Sequence, residues 1–347
     1  MQPEPFPPAL RLGIDLDALK SNWQALDRLS GHARAGAAVK ADGYGVGAGK
    51  VVPALHEAGC RDFFVAHWSE VADVARAVAP SSIAVLHGPR TAQEAAYALA
   101  SGARPVINSL DQARRWIDAG GGTCHLMVDT GMNRLGIDLS ELGAELLHRL
   151  EIDVLMSHLV AAEEDVPSNA AQRERWRQAC GTIAHGRASL ANSAGISLGA
   201  PYHGDLTRPG IALYGGVPRA DMADTIRQVV TPQAAVLQVR QVAPGQTIGY
   251  NATYTAQRAM RVGTVGIGYA DGYLRAWSNR GHLRAGELLL PVLGRISMDL
   301  TVVDLSEAPA VREGDWLSVE YSLPDAAKAS GLSQYELLTS LGRRFAR

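Results

Sequence analysis

The feature of this chain that most restricts its fold is a repeated alternation of short apolar runs with Ala-rich, helix-forming stretches. Eight apolar runs follow one another, namely Ala37–Val39, Phe63–Ala66, Ile83–Gly88, Arg104–Ser109, His125–Thr130, Val154–Leu159, Ala188–Ser193 and Gly204–Arg208. Strands that helices cover on both faces are apolar along their whole length, and eight strand–helix units make a TIM barrel. The pattern predicts a (β/α)8 barrel, although an open doubly wound sheet would accommodate most of the same units.

The pattern changes near residue 232. The runs that follow, such as "AVLQVRQV", "RVGTVGIGY" and "LLLPVLGRISM", are β-rich, closely spaced and interrupted by glycine and proline. Short strands without intervening helices indicate a separate, mainly β domain. We therefore predict an α/β barrel domain over residues 11–231 and a C-terminal β domain over residues 232–347, with the N-terminal segment 1–16 as a candidate to pack with it.

The charge and cysteine content narrow the classes of partner. The formal net charge is -2 over 347 residues, which gives no general affinity for nucleic acid or membrane. The start of the chain lacks the pattern of a secretory signal, and no apolar run has the length of a membrane span. Three cysteines without CxxC spacing are typical of reduced thiols. We expect a cytoplasmic protein without a metal site.

Lys40 lies where the first predicted strand ends, ahead of the glycine-rich loop "ADGYGVGAGK". A phosphate-binding P-loop is excluded, because the interval from Gly45 to Lys50 is one residue short and Val51 replaces the required Ser or Thr. The dinucleotide fingerprint is met only loosely. Taken alone, a lysine before a turn is more often a solvated charge than a catalytic group.

Other polar residues follow later strands of the predicted barrel. They are Arg134, His158, Ser193 and Arg208. The strand ends of a barrel meet at one face, where catalytic residues lie, and a phosphate often binds between the last two loops and a short extra helix. Pro209 and Gly210 suit the start of such a helix. Taken singly, His158 also fits a hydrogen-bonded core histidine, Ser193 a helix cap and Arg208 an ion-pair partner. A lysine beside a phosphate site indicates pyridoxal phosphate held as a lysine imine.

At this point a family resemblance becomes clear. The motifs that carry it are "AAVKADGYGVGA", "DTGMNRLG", "MSHLVAAEE", "SLANSAG", "RPGIALYGG", "TIGYNATYTA", "GIGYADGYLRAWSNRG", "GRISMDL" and "SQYELL". In this order, from about Arg11 to Arg347, they resemble those of the alanine racemases, which are fold-type III pyridoxal-phosphate enzymes. The resemblance implies an isomerase that interconverts L-alanine and D-alanine by a two-base mechanism, supplies D-alanine for cell wall precursors, and forms a homodimer with composite active sites.

The resemblance also implies a role for each matching residue. Lys40 would carry pyridoxal 5'-phosphate and act as one base, and Tyr269 would be the second base. Arg208 would face the pyridine nitrogen, His158 would lie against the ring, and Arg134 would contact the phenolic oxygen and the substrate carboxylate. The phosphate would be held by Tyr44, Ser193, Gly210, Ile211 and Tyr335. Met298 would offer its backbone N–H to the substrate carboxylate.

These residue types suit racemisation, which removes a proton from one face of the α carbon and returns one to the other. Lysine and tyrosine have reference pKa values of about 10.4 and 10, so both must be lowered by roughly 2–3 units to act near neutrality. Burial and nearby positive charge would do this. Arg208 stays charged, so it can donate a hydrogen bond but cannot transfer a proton to the pyridine nitrogen.

Three other functions remain open at this stage. They are a racemase of the same fold for serine or a broader range of amino acids, a fold-related decarboxylase, and a non-catalytic pyridoxal-phosphate-binding protein. Tyr269 argues against the decarboxylase, and the β domain argues against the non-catalytic protein.

One position departs from the family: Met127 stands where many alanine racemases have a carbamylated lysine that positions the arginine. We expect a chloride ion or a polar side chain to pair with a buried Arg134 instead.

Overall fold

A computed structural model of the chain describes residues 8–319 and 322–346. These residues form two compact units, and each is considered by itself. One unit is Leu16–Arg227; the other combines the residues up to Asp15 with those from Gln228 onward.

The unit Leu16–Arg227 is built on parallel strands. In chain order these are Arg34–Ala35 with Ala37–Ala38, Phe63–Val65, Ile83–Val85, Arg104–Ile107, Thr123–Met127, Glu151–Met156, Arg187–Ser189 and Leu206–Thr207. Each strand pairs in parallel with the next as far as Arg187–Ser189. Leu206–Thr207 then pairs with Arg34–Ala35, and the Asp205 N–H donates to the Ala188 carbonyl at 2.8 Å. The eight strands therefore close into a ring, which confirms the predicted barrel.

The helices of this unit lie before the first strand and between successive strands. They are Leu16–Leu29, Ala48–Ala58, Val71–Val74, Ala92–Ser101, Leu110–Asp118 and Pro167–Thr182, with the short segments Lys40–Tyr44 and Ser193–Ser197. Thr91 and Ser109 cap two of them, because each side chain accepts a backbone N–H from the first turn. The fifth strand is followed by a loop and the short 3-10 turns Leu139–Glu141 and Glu145–Arg149 in place of a long helix.

Ion pairs lie where the strands of the barrel begin. The Arg187 guanidinium contacts Asp62 at 2.8 Å and Asp153 at 2.9 Å, and Arg104 also pairs with Asp153. His125, which is buried, accepts the Val154 N–H on Nδ1 at 3.2 Å, beside a register shift between the fifth and sixth strands. This end of the barrel is therefore held by charge, whereas the middle is apolar.

The second unit is a closed antiparallel barrel. Its main strands are Leu10–Ile14, Val230–Val242, Met260–Val265, His282–Ala285, Leu288–Leu293, Thr301–Asp304 and Trp316–Val319, with the small hairpin Thr247–Ile248 and Tyr254–Thr255. Val230–Val242 pairs with Met260–Val265 and with Trp316–Val319, so the sheet closes on itself. Val230, Pro232, Ala234 and Val236 alternate as buried residues along this strand, because successive side chains point to opposite faces. The predicted mainly β domain is confirmed.

The N-terminal segment contributes a strand to this second unit. Leu10–Ile14 pairs antiparallel with the residues from Val230 to Ala234. Residues 1–7 of the predicted segment lie outside the described residues. Two helices, Leu323–Ser330 and Gln334–Thr339, follow the last strand of the β unit. Neither these nor the other helices within residues 8–319 and 322–346 are long and apolar enough to cross a membrane.

Candidate active site

Lys40 stands at the end of the first barrel strand and begins an unusual turn. Ala41, Asp42 and Gly43 have φ values of 54°, 54° and 61°, which is left-handed helical backbone. Left-handed helix costs roughly 1–2 kcal/mol for each residue with a side chain. Two carboxylates stabilise the turn: Glu70 accepts the Ala41 N–H at 2.5 Å, and Asp42 accepts the Ala48 N–H at 2.8 Å. Strain of this kind is concentrated at functional sites.

The electrostatic environment of Lys40 favours the neutral amine. Burial lowers the pKa of Lys40, the positive charges of Arg134 and Arg208 lower it further, and the Glu70 carboxylate opposes them. A lysine becomes a nucleophile or a general base when its charged form is disfavoured. The shift in the pKa of Lys40 is therefore in the direction that the sequence prediction requires.

Arg208 follows the eighth strand and is buried, with 7% of its surface exposed. Its guanidinium donates to the Ser189 hydroxyl and to the Ser157 and Leu190 carbonyl oxygens. These oxygens carry no formal charge. Burial lowers the pKa of Arg208 to about 10, so the group remains a cation at neutral pH.

His158 follows the sixth strand and is held neutral. Burial lowers its pKa to about 3, and the charges of Arg208, Arg134 and Lys40 act in the same direction. The imidazole at this position is therefore a flat, uncharged surface at neutral pH.

Backbone and hydroxyl groups converge beside the seventh and eighth strands. The Ser193 hydroxyl accepts the N–H groups of Gly210 at 2.8 Å and Ala212 at 3.3 Å. A Cβ at Gly210 would lie 2.2 Å from the Tyr44 hydroxyl, so only glycine fits. Ile211 begins the 3-10 turn Ile211–Tyr214 directly after this contact. The donor groups of this pocket, together with Lys40, Arg208 and His158, fit a phosphorylated pyridine attached to an amine.

Arg134 differs from the expectation. Its side chain is exposed in the single chain, in a loop that Asp129 organises by accepting the backbone N–H groups of Gly131, Met132 and Arg134. The expected burial of Arg134 is therefore wrong for this chain on its own, because the residue lies in an exposed loop after the fifth strand, from which its charge acts on Lys40 and His158. Met127 is buried within the preceding strand, with 9% of its surface exposed.

Three predicted site residues belong to the β unit. Tyr269 begins a 3-10 turn, donates its backbone N–H to the Ser297 carbonyl at 3.0 Å, and lies with its ring 4.9 Å from the Arg275 guanidinium carbon. Met298 is 53% exposed. Tyr335 lies in the helix Gln334–Thr339, which Ser333 caps. The structure thus places Tyr269 and Met298 on adjacent loops.

Sequence reasoning missed several polar residues that support these groups. Glu70 holds the turn after Lys40, and Ser189 binds Arg208. Glu70 was missed because it lies 30 residues beyond Lys40 in the chain, and Ser189 was missed because it lies within a predominantly apolar run. Asp271, in the motif "YADGY", lies two residues after Tyr269, and this carboxylate is the supporting residue that the sequence could have indicated. Among residues 8–319 and 322–346 there is no cluster of side chains with the composition of a metal site.

Comparison with known families agrees with this geometry. The family model described as "Alanine racemase, N-terminal domain" matches residues 14–218, and "Alanine racemase, C-terminal domain" matches residues 229–347. The chain belongs to the alanine racemase family.

Relatives within the alanine racemase family match over nearly their whole length. The alanine racemase of Acidiphilium cryptum is 42% identical, with 97% of each chain covered. The crystal structure of alanine racemase from Bartonella henselae, with covalently bound pyridoxal phosphate, has a TM-score of 0.89 at 34% identity and covers 98% of this chain and 99% of that one. The biosynthetic alanine racemase from Pseudomonas aeruginosa has a TM-score of 0.85 at 34% identity, with 99% of both chains covered.

Proposed function

We propose that this chain is a pyridoxal 5'-phosphate-dependent isomerase that interconverts L-alanine and D-alanine. One observation carries the proposal: Lys40, with a lowered pKa, lies at the rim of a barrel that also presents a buried cation at Arg208 and a neutral His158. Full-length similarity to alanine racemases, one with covalently bound pyridoxal phosphate, supports it.

Each predicted cofactor-binding residue has a proposed task. Lys40 would hold the cofactor, and Ser193, Gly210, Ile211 and Tyr44 would bind its phosphate together with Tyr335. Arg208 would face the pyridine nitrogen, His158 would lie against the ring, and Arg134 would bind the phenolic oxygen and the substrate carboxylate. When bound, the cofactor withdraws electrons from the α carbon of alanine and so makes its proton easier to remove.

Two bases on opposite faces of that carbon then account for racemisation. We assign one to Lys40 and the other to Tyr269, with Met298 offering its N–H to the substrate carboxylate. The lowered pKa of Lys40 leaves more neutral amine to accept the proton. The Arg275 guanidinium carbon lies 4.9 Å from the centre of the Tyr269 ring, so a cation is next to the proposed second base.

The assembly that fits these roles is a homodimer with composite sites, in which Tyr269 and Met298 serve the partner's Lys40. The exposure of Met298 in the single chain supports a role in contacts outside it. We further propose a cytoplasmic enzyme that supplies D-alanine for cell wall precursors and that binds its cofactor in the barrel unit Leu16–Arg227. It would bind neither nucleic acid nor membrane.

The decisive experiment follows α-proton exchange and optical rotation together, with each alanine enantiomer in heavy water. Exchange with racemisation supports the proposal, whereas exchange that retains configuration, or no exchange, contradicts it. The same assay with serine, lysine and arginine measures the side-chain range.

Two further experiments test the site assignments. Borohydride should fix the cofactor to the peptide that contains Lys40, and labelling of Lys50 instead would overturn that assignment. Mixing inactive Lys40→Ala and Tyr269→Phe subunits should restore part of the activity, because each mixed dimer contains one intact composite site. Background activity after demonstrated subunit exchange would place both bases in one chain.

A further inference from the structure

The loops that carry Tyr269 and Met298 are joined at the backbone. The Tyr269 N–H donates to the Ser297 carbonyl, and the Ala270 N–H donates to the Met298 carbonyl, both at 3.0 Å. Gly268 permits this contact, because a Cβ there would lie 2.4 Å from the carbonyl oxygens of Ser297 and Met298. The second proposed base and the proposed substrate-binding residue are thus on one connected surface.

A charged group ties the same two loops together a second time. The Arg344 guanidinium donates Nε to Asp271 Oδ1 at 2.7 Å and Nη2 to Asp271 Oδ2 at 2.9 Å. Its remaining nitrogen, Nη1, donates to Asp299 Oδ1 at 2.7 Å. Asp271 lies two residues after Tyr269, and Asp299 follows Met298 directly. One side chain therefore holds both loops, using the two-pronged geometry that distinguishes arginine from lysine.

Of the two carboxylates that Arg344 contacts, Asp271 is the buried one. Its side chain is 1% exposed, and its Oδ2 also accepts the Gly268 N–H at 3.0 Å, which closes the turn that holds Tyr269. A buried carboxylate without a cation would be strongly destabilised, so Arg344 is needed to keep the turn as it is. Asp299, in contrast, is 54% exposed, so its pairing is worth little to overall stability.

Arg344 is itself anchored to the body of the β unit. Phe345 is buried, and Ala346 exchanges backbone hydrogen bonds with the first strand, accepting from Leu12 at 2.8 Å and donating to Leu10 at 3.0 Å. The guanidinium is thus presented from a fixed backbone and does not depend on a mobile tail.

We infer that Arg344 is a positioning residue that sets Tyr269 and Met298 relative to each other through Asp271 and Asp299. The inference rests on the proposed function for the identity of the reacting groups. Arg344 acts through the two carboxylates that its guanidinium contacts. Its two arms have different consequences: the Asp271 arm places the base and controls turnover, and the Asp299 arm places the Met298 N–H and controls substrate binding.

The test compares Arg344→Met, Asp271→Asn and Asp299→Asn with the control Arg343→Met. Arg343 is exposed, has the same charge as Arg344 and is not part of the ion-pair cluster of Arg344, Asp271 and Asp299. The first readout is hydrogen exchange at the Tyr269 and Ala270 amides in the cofactor-loaded enzyme. We expect Arg344→Met to accelerate it at least about tenfold, with the control unchanged, because local opening becomes easier.

The second readout is steady-state kinetics, which measures the effect of each variant on kcat and on KM separately. Arg344→Met and Asp271→Asn should lower kcat by about 10- to 100-fold, since a displacement near 1 Å has an effect of that order. Asp299→Asn should raise the KM for alanine several-fold and leave kcat nearly unchanged. Arg344→Lys should restore only part of kcat, because an ammonium group lacks the fork. The cofactor spectrum should stay that of the parent, since the attachment lysine belongs to the barrel.

Parental exchange rates and parental kcat in Arg344→Met would overturn the inference, as would an equal fall of kcat in the Arg343→Met control. If Asp271→Asn does not fold, Asp299→Asn, with its exposed side chain, still decides between a KM effect and none. A parent enzyme that fails to racemise alanine would refute the proposed function. In that case the hydrogen-exchange measurement at Tyr269 would still test whether Arg344 holds the two loops in place.

Discussion

Arg208 is a buried cation whose described partners are oxygen atoms of the Ser189 side chain and of the backbone. Burying a guanidinium without a carboxylate is unfavourable unless each N–H finds an acceptor. The arrangement makes sense if one N–H is reserved for a ligand that enters later. Ser189 is then the side chain that fixes where the remaining N–H points.

Removing the Ser189 hydroxyl should therefore weaken both the fold and the cofactor site. Ser189→Ala deletes a hydrogen bond to a charged group, which contributes about 1.5–3 kcal/mol. We expect urea titration to show a loss of that size and the absorbance of bound cofactor to shift. The exposed Ser81 provides the control Ser81→Ala, which should change neither quantity. An unshifted spectrum would show that Ser189 does not orient Arg208.

Met127 leads to a second prediction at single-residue scale. A thioether has no site for carbamylation, and Arg134 is exposed in the single chain. Racemase activity should therefore be the same in bicarbonate-free buffer and in buffer with added bicarbonate, at constant pH and ionic strength. Activation by bicarbonate would show that another lysine takes over this chemistry.

At the scale of elements, the site depends on two turns that approach each other too closely to leave room for a Cβ at Gly210. The left-handed turn after Lys40 brings Tyr44 against the start of the segment after the eighth strand. The alternation of apolar runs was enough to predict the strands on both sides. The turn itself was not predictable, because Ala41 and Asp42 have side chains that disfavour left-handed backbone and are held there by Glu70, which is distant in sequence.

Gly210→Ala tests this close approach. The added methyl group would overlap the Tyr44 hydroxyl, and overpacking of this kind costs typically 1–3 kcal/mol. We expect cofactor affinity, measured by equilibrium dialysis, to fall by about tenfold or more. The matched control is Gly49→Ala in the helix Ala48–Ala58, where a Cβ has no neighbour within 4 Å. That change should raise the free energy of unfolding by about 0.5–1 kcal/mol. Equal cofactor affinity in both variants would exclude a tight cradle at Gly210.

At the scale of the whole molecule, buried histidines connect stability to pH. Burial lowers the pKa values of His125 and His158 in the folded chain, whereas unfolded histidine titrates near 6.5. Below that pH the unfolded chain binds protons that the folded chain does not, so the free energy of unfolding falls as pH decreases. Each histidine contributes up to about 1.4 kcal/mol per pH unit.

His125→Gln should remove one part of this dependence, because glutamine keeps an acceptor for the Val154 N–H but does not titrate. Urea unfolding of parent and variant at intervals from pH 7.5 to 5 measures the slopes. We expect a smaller slope in the variant. The same slope in both proteins would mean that His125 is already protonated in the folded state or stays neutral in the unfolded one.

The long-range pairings mark the limit of sequence reasoning for this molecule. Apolar runs and the change of pattern near residue 232 predicted two architectures, because periodicity is a local property of the chain. The Arg344–Asp271 pair joins residues far apart in the chain, and the Leu10–Ile14 strand pairs with residues from Val230 onward. Nothing in a single sequence specifies which of its many arginines meets which carboxylate.

That first strand also has a consequence for synthesis on the ribosome. Leu10–Ile14 emerges early, but its partner residues, Val230 to Ala234, are translated only after the entire unit Leu16–Arg227. At typical rates of 5–20 residues per second, the wait is roughly 10–40 s. The barrel can fold during this interval as one continuous stretch, whereas the β unit is assembled from two separate stretches. A gene fragment for residues 16–227 therefore encodes a whole folding unit, but one that starts at residue 228 would leave the edge of the strand Val230–Val242 open to other chains.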